Sequence, residues 1–316
     1  MLSRYPDVSV LLVGENLSAY LPTWFIHLEL QEFPLSQMEW IIIDVGSTQK
    51  VDDQIHSLIK GSPLKVRYIH DSSNSEIEAW NLGFREAEGK WILCSQFDVL
   101  PSSNWVQRHV HIQRINNDKA CVSGSLIPHP RLSSRSITRW FLPEDVLFPI
   151  PKPIKPTPFH FSLANMSFPK EMILHIGGLN KFFSFPDFSE VELAQRLQDA
   201  DVPLQIDEQA LCWIWTGSSY FNICKYHYRR GYSMGCFMRI FPNSYEVIEH
   251  YRLYQPLYTR IFNSLVVPYY HQICKKFPED SRTLNYAYRR VFRYFRHRGF
   301  QDAINREEPQ IDIISP

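Results

Sequence analysis

The run Glu39-Trp-Ile-Ile-Ile-Asp44 places four apolar side chains in a row with no polar interruption. A strand open to water on one face alternates polar and apolar residues, so a run like this must be covered on both faces. Residues 8–13 and 91–94 are nearly as apolar, and residues 64–69 read as a further strand. Between them lie stretches with apolar residues at helical spacing. Residues 20–32 carry Leu21, Trp24, Phe25 and Leu28, residues 49–60 read as a helix, and residues 75–88 carry Ala79, Leu82, Gly83, Phe84 and Ala87. Alternation of strand and helix at this period predicts an α/β fold, a Rossmann-like and mostly parallel sheet flanked by helices.

In such sheets ligands gather where strands end at their carboxyl edge. Two strand ends carry carboxylates. Asp44 precedes the small-residue turn Val45-Gly46-Ser47-Thr48, and Asp98 closes Gln96-Phe97-Asp98 before the Pro101 break. They are expected to end neighbouring strands and to converge on one cleft. The plain alternative is that each only caps the turn that follows. No GxGxxG, GxxxxGK[ST] or GxSxG is present, which counts against dinucleotide-binding, P-loop and hydrolase-elbow folds.

Further along, residues 105–117 read as a helix, 120–124 as a strand and 189–200 as a strongly periodic helix. The proline-rich stretch 142–159 excludes regular helix or central strand and predicts a long loop, a lid or binding element. Six cysteines show no CxxC or Cys/His ligand spacing. Buried reduced thiols and a cytoplasmic location are therefore expected. Neither a signal-peptide core nor a stretch of membrane-spanning length is found.

Zero net charge hides an asymmetry. Residues 1–219 carry 18 Lys/Arg against 25 Asp/Glu, whereas residues 220–300 carry 14 against 4. The chain thus divides into a front domain, 1–219, and a basic, aromatic, mainly helical extension, 220–316.

Seven short elements in order resemble those of the family 2 inverting glycosyltransferases, across residues 6–219. These are Asn16 after the first strand, Asp44-Val45-Gly46-Ser47-Thr48, Ala79-Trp80-Asn81-Leu82-Gly83, Gln96-Phe97-Asp98 with Pro101 and Trp105, Ala164-Asn165-Met166-Ser167, Gly177-Gly178-Leu179-Asn180, and Ser189-Glu190. The resemblance implies a GT-A-like fold, a nucleotide-sugar donor and a role in polysaccharide biosynthesis. It assigns Asp44 to the nucleobase and Asp98 to a divalent metal, Mg²⁺ or Mn²⁺. Glu190 becomes the catalytic base, with Glu192 as competitor. Gly46, Ser47, Asn81 and Gln96 join Asp44 and Asp98 in donor binding. The acceptor implied is a glycan or a lipid-linked sugar. The sequence departs from the pattern where Gln96 replaces the first carboxylate of Asp-x-Asp and Trp215 stands where a histidine is common. Those departures keep a second reading open, a catalytically degenerate member that binds a nucleotide sugar or a partner protein.

In the extension, Leu284, Ala287, Tyr288, Val291, Phe292 and Phe295 fall on one helix face, with arginines largely off it. Two readings follow for residues 284–298. One is a peripheral contact with the inner face of a membrane through an exposed aromatic face. The other is a helix packed on the rest of the protein with a solvated basic side. No nucleic-acid-binding motif accompanies the arginines.

Overall fold

The apolar runs form the middle of one eight-stranded sheet. In the computed structural model, residues 6–15, 17–46, 51–73, 75–131, 155–215, 219–244, 247, 257–276, 284–311 and 314 are described. The strands are β1 (Val8–Gly14), β2 (Met38–Val45), β3 (Lys65–Asp71), β4 (Trp91–Gln96), β5 (Val99–Pro101), β6 (Cys121–Pro128), β7 (Asn165–Pro169) and β8 (Leu204–Ile214). Their order is β3-β2-β1-β4-β7-β6-β8-β5. All residues of β2 are buried, as an uninterrupted apolar run requires.

The sheet has two halves. β3, β2, β1 and β4 are parallel, because α1 (Leu21–Glu29), α2 (Asp52–Ile59) and α3 (Glu76–Glu86) carry the chain back to the same edge each time. Beyond β4 the pairing turns antiparallel: β7 runs against β4 and β6, and β5 against β8. The parallel expectation thus describes the front half. β8 was not singled out from sequence: Asp207, Glu208 and Gln209 interrupt its middle, although Ala210–Ile214 is an unbroken apolar run.

Two compact units result. One comprises the described residues of 1–127, 144–181 and 190–216, the other those of 128–143, 182–189 and 217–316. A sequence division at 219 leaves residues 182–189 with the front unit, whereas in the structure they group with the helical one. Of the proline-rich stretch, residues 142–154 lie outside the described residues.

The first unit is packed around Trp24, Trp40, Trp80 and Trp105, each at most 1% exposed. At the strands' amino ends, buried Glu39 accepts from the Ser9 hydroxyl (2.6 Å) and the Glu88 amide (2.6 Å), and Ser9 accepts from the Gly89 amide (2.8 Å). This ties β1, β2 and the entry to β4 together at the edge opposite the candidate site. Here too belong α4 (Trp105–Ile115), α5 (Lys170–His175) and most of α6 (Ser189–Asp199).

The second unit contains α7 (Tyr220–Ile240), α8 (Leu257–Lys276) and α9 (Asn285–Ile304). α7 and α9 approach closely because glycines face the contact. A Cβ at Gly231 would run into the Arg296 carbonyl, and one at Gly299 into the Tyr228 carbonyl. The aromatic stripe of α9 is core. Tyr288, Phe292 and Phe295 are buried; Phe292 stacks on His227 (5.0 Å) and on Tyr288 (5.5 Å), and Phe295 meets His271 of α8 edge-on (5.9 Å). A membrane contact through that aromatic face is therefore ruled out, since α7 and α8 already cover it. All six cysteines are free and buried.

Candidate functional site

The carboxyl edge of the parallel half gathers most of the residues singled out from sequence. β1 lies between β2 and β4, with Gly14 level with Asp44 and Val13 level with both Ile43 and Gln96. Asp44 and Asp98 therefore do not end neighbouring strands. The ends of β2 and β4 stand two strand spacings apart, roughly 10 Å. Gln96 shares a pleat level with Ile43, and Asp44 lies one residue on, so their side chains leave the sheet on opposite faces. Asp98 lies beyond β4, in the turn leading to β5, at the edge rather than on a face.

That turn is held from two sides. The Trp24 indole of α1 donates to the Phe97 carbonyl (2.9 Å), and the Trp215 amide donates to the Asp98 carbonyl (2.7 Å). Phe97 is buried edge-on against Trp24 (6.5 Å). A Cβ at Gly14 would press on its ring at 3.1 Å. Asp98 and Gln96 stay partly exposed. The Tyr20 hydroxyl shares this locale: burial first, and then the Asp98 charge, raise its pKa.

Asp44 is fully buried. Tyr68 on β3 donates to its Oδ2 at 2.7 Å, and His70 Nδ1 lies 3.7 Å from the same oxygen. Burial and this bond raise the Tyr68 pKa well above that of a free phenol. Tyr68 and His70 were not singled out from sequence. The strand bounds alone did not give them, since pairing residues 64–69 with 39–44 would set Ile69 level with Asp44; the observed register, Glu39 level with Lys65, brings His70 there instead. Gly46 follows with φ +65° and donates its amide to the Asp71 carbonyl (3.1 Å); a side chain there would be strained. Ser47 lies outside the described residues.

Asn81 belongs to the scaffold. Both ends of its carboxamide hold Leu179, donating to the carbonyl (2.9 Å) and accepting from the amide (2.8 Å). Gly178, with φ +67°, passes so close that a Cβ would strike the Asn81 carboxamide. Asn165 and Trp105 also serve the interior. Asn165 Nδ2 donates to the Ser125 and Ala210 carbonyls (2.8 Å each), so its Oδ1 accepts from Trp105 Nε1 (2.8 Å) and His109 Nε2 (2.9 Å). His109 Nε2 thus carries the proton, and Nδ1 accepts from the Ser167 hydroxyl (2.8 Å). Burial pushes the His109 pKa down to about 4.

Glu190 and Glu192 both lie in the first turn of α6, and both are buried. Glu192 is committed to Arg196, one turn on, which also donates to the Ile176 and Gly178 carbonyls (2.6 Å each). Among the described residues, no group of three or more His, Cys, Asp or Glu is arranged to hold a metal. Asp98 and Gln96 offer one carboxylate and one carboxamide, oxygen donors suited to a hard cation that completes its shell with phosphate oxygens and water.

The model of the family described as glycosyl transferase family 2 matches residues 18–176, half of the chain. No curated protein matches the chain in sequence. Among solved structures, the chain resembles the mannosyltransferase PcManGT from Pyrobaculum calidifontis in complex with GDP-Man and Mn²⁺. The TM-score is 0.62 at 13% identity, over 97% of this chain and 89% of that one. It also resembles S. aureus TarS 1–349 in complex with UDP-GlcNAc, with TM-score 0.52 at 10% identity, over 96% of this chain and 93% of that one. The fold is the GT-A fold of these enzymes.

Proposed function

The chain belongs to glycosyl transferase family 2, and from that premise we propose that it moves a sugar from a nucleotide-sugar donor to a glycan or lipid-linked acceptor, inverting the anomeric carbon. The observation that best supports this is the shared carboxyl edge, where Asp44 and Gln96 stand at the ends of β2 and β4 around a common β1, with Gly46 and Asp98 in the turns that follow. Complexes of the structural neighbours with GDP-Man and UDP-GlcNAc support a donor of this class.

The acceptor hydroxyl attacks the anomeric carbon from the face opposite the diphosphate. The new C–O bond forms as the sugar–diphosphate bond breaks, and the diphosphate leaves with the electron pair. Glu190 takes the hydroxyl proton. Glu192 is the weaker candidate, because Arg196 holds it. Asp98 and Gln96 would hold a divalent cation together with the diphosphate. When bound, it would draw off the leaving group's developing charge. Asp44 receives the nucleobase, with Tyr68 holding one of its oxygens. Since Asp44 is fully buried, the donor must displace what covers it.

A degenerate member that binds without transfer is favoured by one observation, Gln96 in place of a carboxylate. A panel of nucleotide sugars, assayed for binding and for donor hydrolysis with and without Mn²⁺, separates the two. Turnover stimulated by metal supports the enzyme. Binding without turnover of any donor supports the degenerate member.

A further inference from the structure

With the aromatic stripe of α9 buried, the basic helices present a different outward edge. On α8, Leu265 is 74% and Tyr269 65% exposed, and Pro268, Gln272 and Lys276 continue the same face. On α9, Tyr286 is 55% exposed and Arg289 follows it one turn on. Tyr270 and Tyr286 meet edge-on at 5.8 Å and join the two stripes. Arg290 lies over the Tyr286 ring at 5.2 Å and donates to its hydroxyl at 2.8 Å.

Both helices are strongly basic. α8 carries Arg260, Lys275 and Lys276 with no acid, and α9 carries five arginines against Asp302 alone. Asp302 is buried and accepts from the Tyr228 hydroxyl at 2.6 Å. A second copy meeting this edge would bring like charges together, which costs free energy. An anionic surface with an apolar layer beneath it suits both parts. Lysine and arginine heads reach phosphates, while tyrosine presents an apolar ring and a polar tip to the headgroup boundary.

We propose that the outward edge of α8 and α9, centred on Leu265, Tyr269 and Tyr286 and flanked by Lys276 and Arg289, docks on an anionic lipid bilayer. This goes beyond the transfer reaction and holds whether or not the donor site is catalytic.

The test uses the full chain and vesicles of phosphatidylcholine with or without phosphatidylglycerol, read by co-flotation. Two variants are compared, L265S/Y269S/Y286S and K276Q/R289Q. All five positions are exposed, so the fold should survive, as circular dichroism can verify. Binding is expected to anionic vesicles only and to fall with added salt. It should drop roughly tenfold or more in K276Q/R289Q, since each basic residue near the surface contributes about 1 kcal/mol. It should drop in L265S/Y269S/Y286S as well. Absence of binding at low salt would overturn the proposal, as would binding that both variants retain. Self-association that the variants abolish would assign the edge to a second copy instead. Duplex DNA binding as tight as vesicle binding, and indifferent to the apolar triple, would assign it to nucleic acid.

Discussion

Arg196 grips Glu192 through two hydrogen bonds of 2.9 Å each, from Nε and Nη2 to the two carboxylate oxygens. The pair lies on one face of α6, four residues apart, and the same guanidinium holds the turn that precedes the helix. Glu192 therefore has a structural task, and the proposal that Glu190 is the base can be tested against it. Glu190→Gln should lower transfer by roughly 10²–10⁴-fold with donor affinity retained. Glu192→Gln should instead cost about 1.5–3 kcal/mol of stability, visible as a lower unfolding midpoint. Normal transfer in the first variant together with lost transfer in the second would reverse the assignment.

The edge around β4 predicts a dependence on metal. Asp98→Ala should remove any Mn²⁺ stimulation of donor binding, measured by calorimetry with and without the ion. Gln96→Asp adds a second carboxylate and should strengthen that stimulation. If neither substitution alters the metal response, Asp98 is only a turn residue.

His109 predicts a pH effect on stability rather than on activity. Burial holds its pKa near 4 in the folded chain, below the ordinary value of 6.5. Between these values the unfolded chain binds a proton that the folded chain does not. Its contribution is therefore complete above pH 6.5 and lost as pH falls toward 4, on the order of 3 kcal/mol over the window. Urea midpoints from pH 7 to 4 should fall more steeply for the native sequence than for His109→Gln. Parallel slopes would mean that the imidazole is not held neutral.

The crossing of α7 and α9 predicts a steric effect. Gly231→Ala puts a methyl against the Arg296 carbonyl, where backbone cannot yield easily, and should cost about 1–3 kcal/mol. Alanine usually favours a helix over glycine, so a stabilised variant would show that the two helices are not in close contact.

What the sequence determined by itself is what local patterning records. Unbroken apolar runs marked β1, β2 and β4, because a strand covered on both faces admits no polar alternation. Spacing of Leu21, Trp24, Phe25 and Leu28 marked α1, and turn residues beside Asp44 and Asp98 marked the carboxyl edge of the strands. Only tertiary structure decided the rest, because it depends on which distant segments meet. β1 came between β2 and β4, which no local signal states. β8 was missed because Asp207, Glu208 and Gln209 interrupt it, although its second half, Ala210–Ile214, is as apolar as β4. Asn81 went to Leu179, 98 residues away, and Arg196 separated two glutamates that look alike in sequence. The stripe of α9 shows the limit most plainly. Helical periodicity establishes that Tyr288, Phe292 and Phe295 share a face, but whether that face meets water, lipid or another helix is decided by what packs there, here α7 and α8.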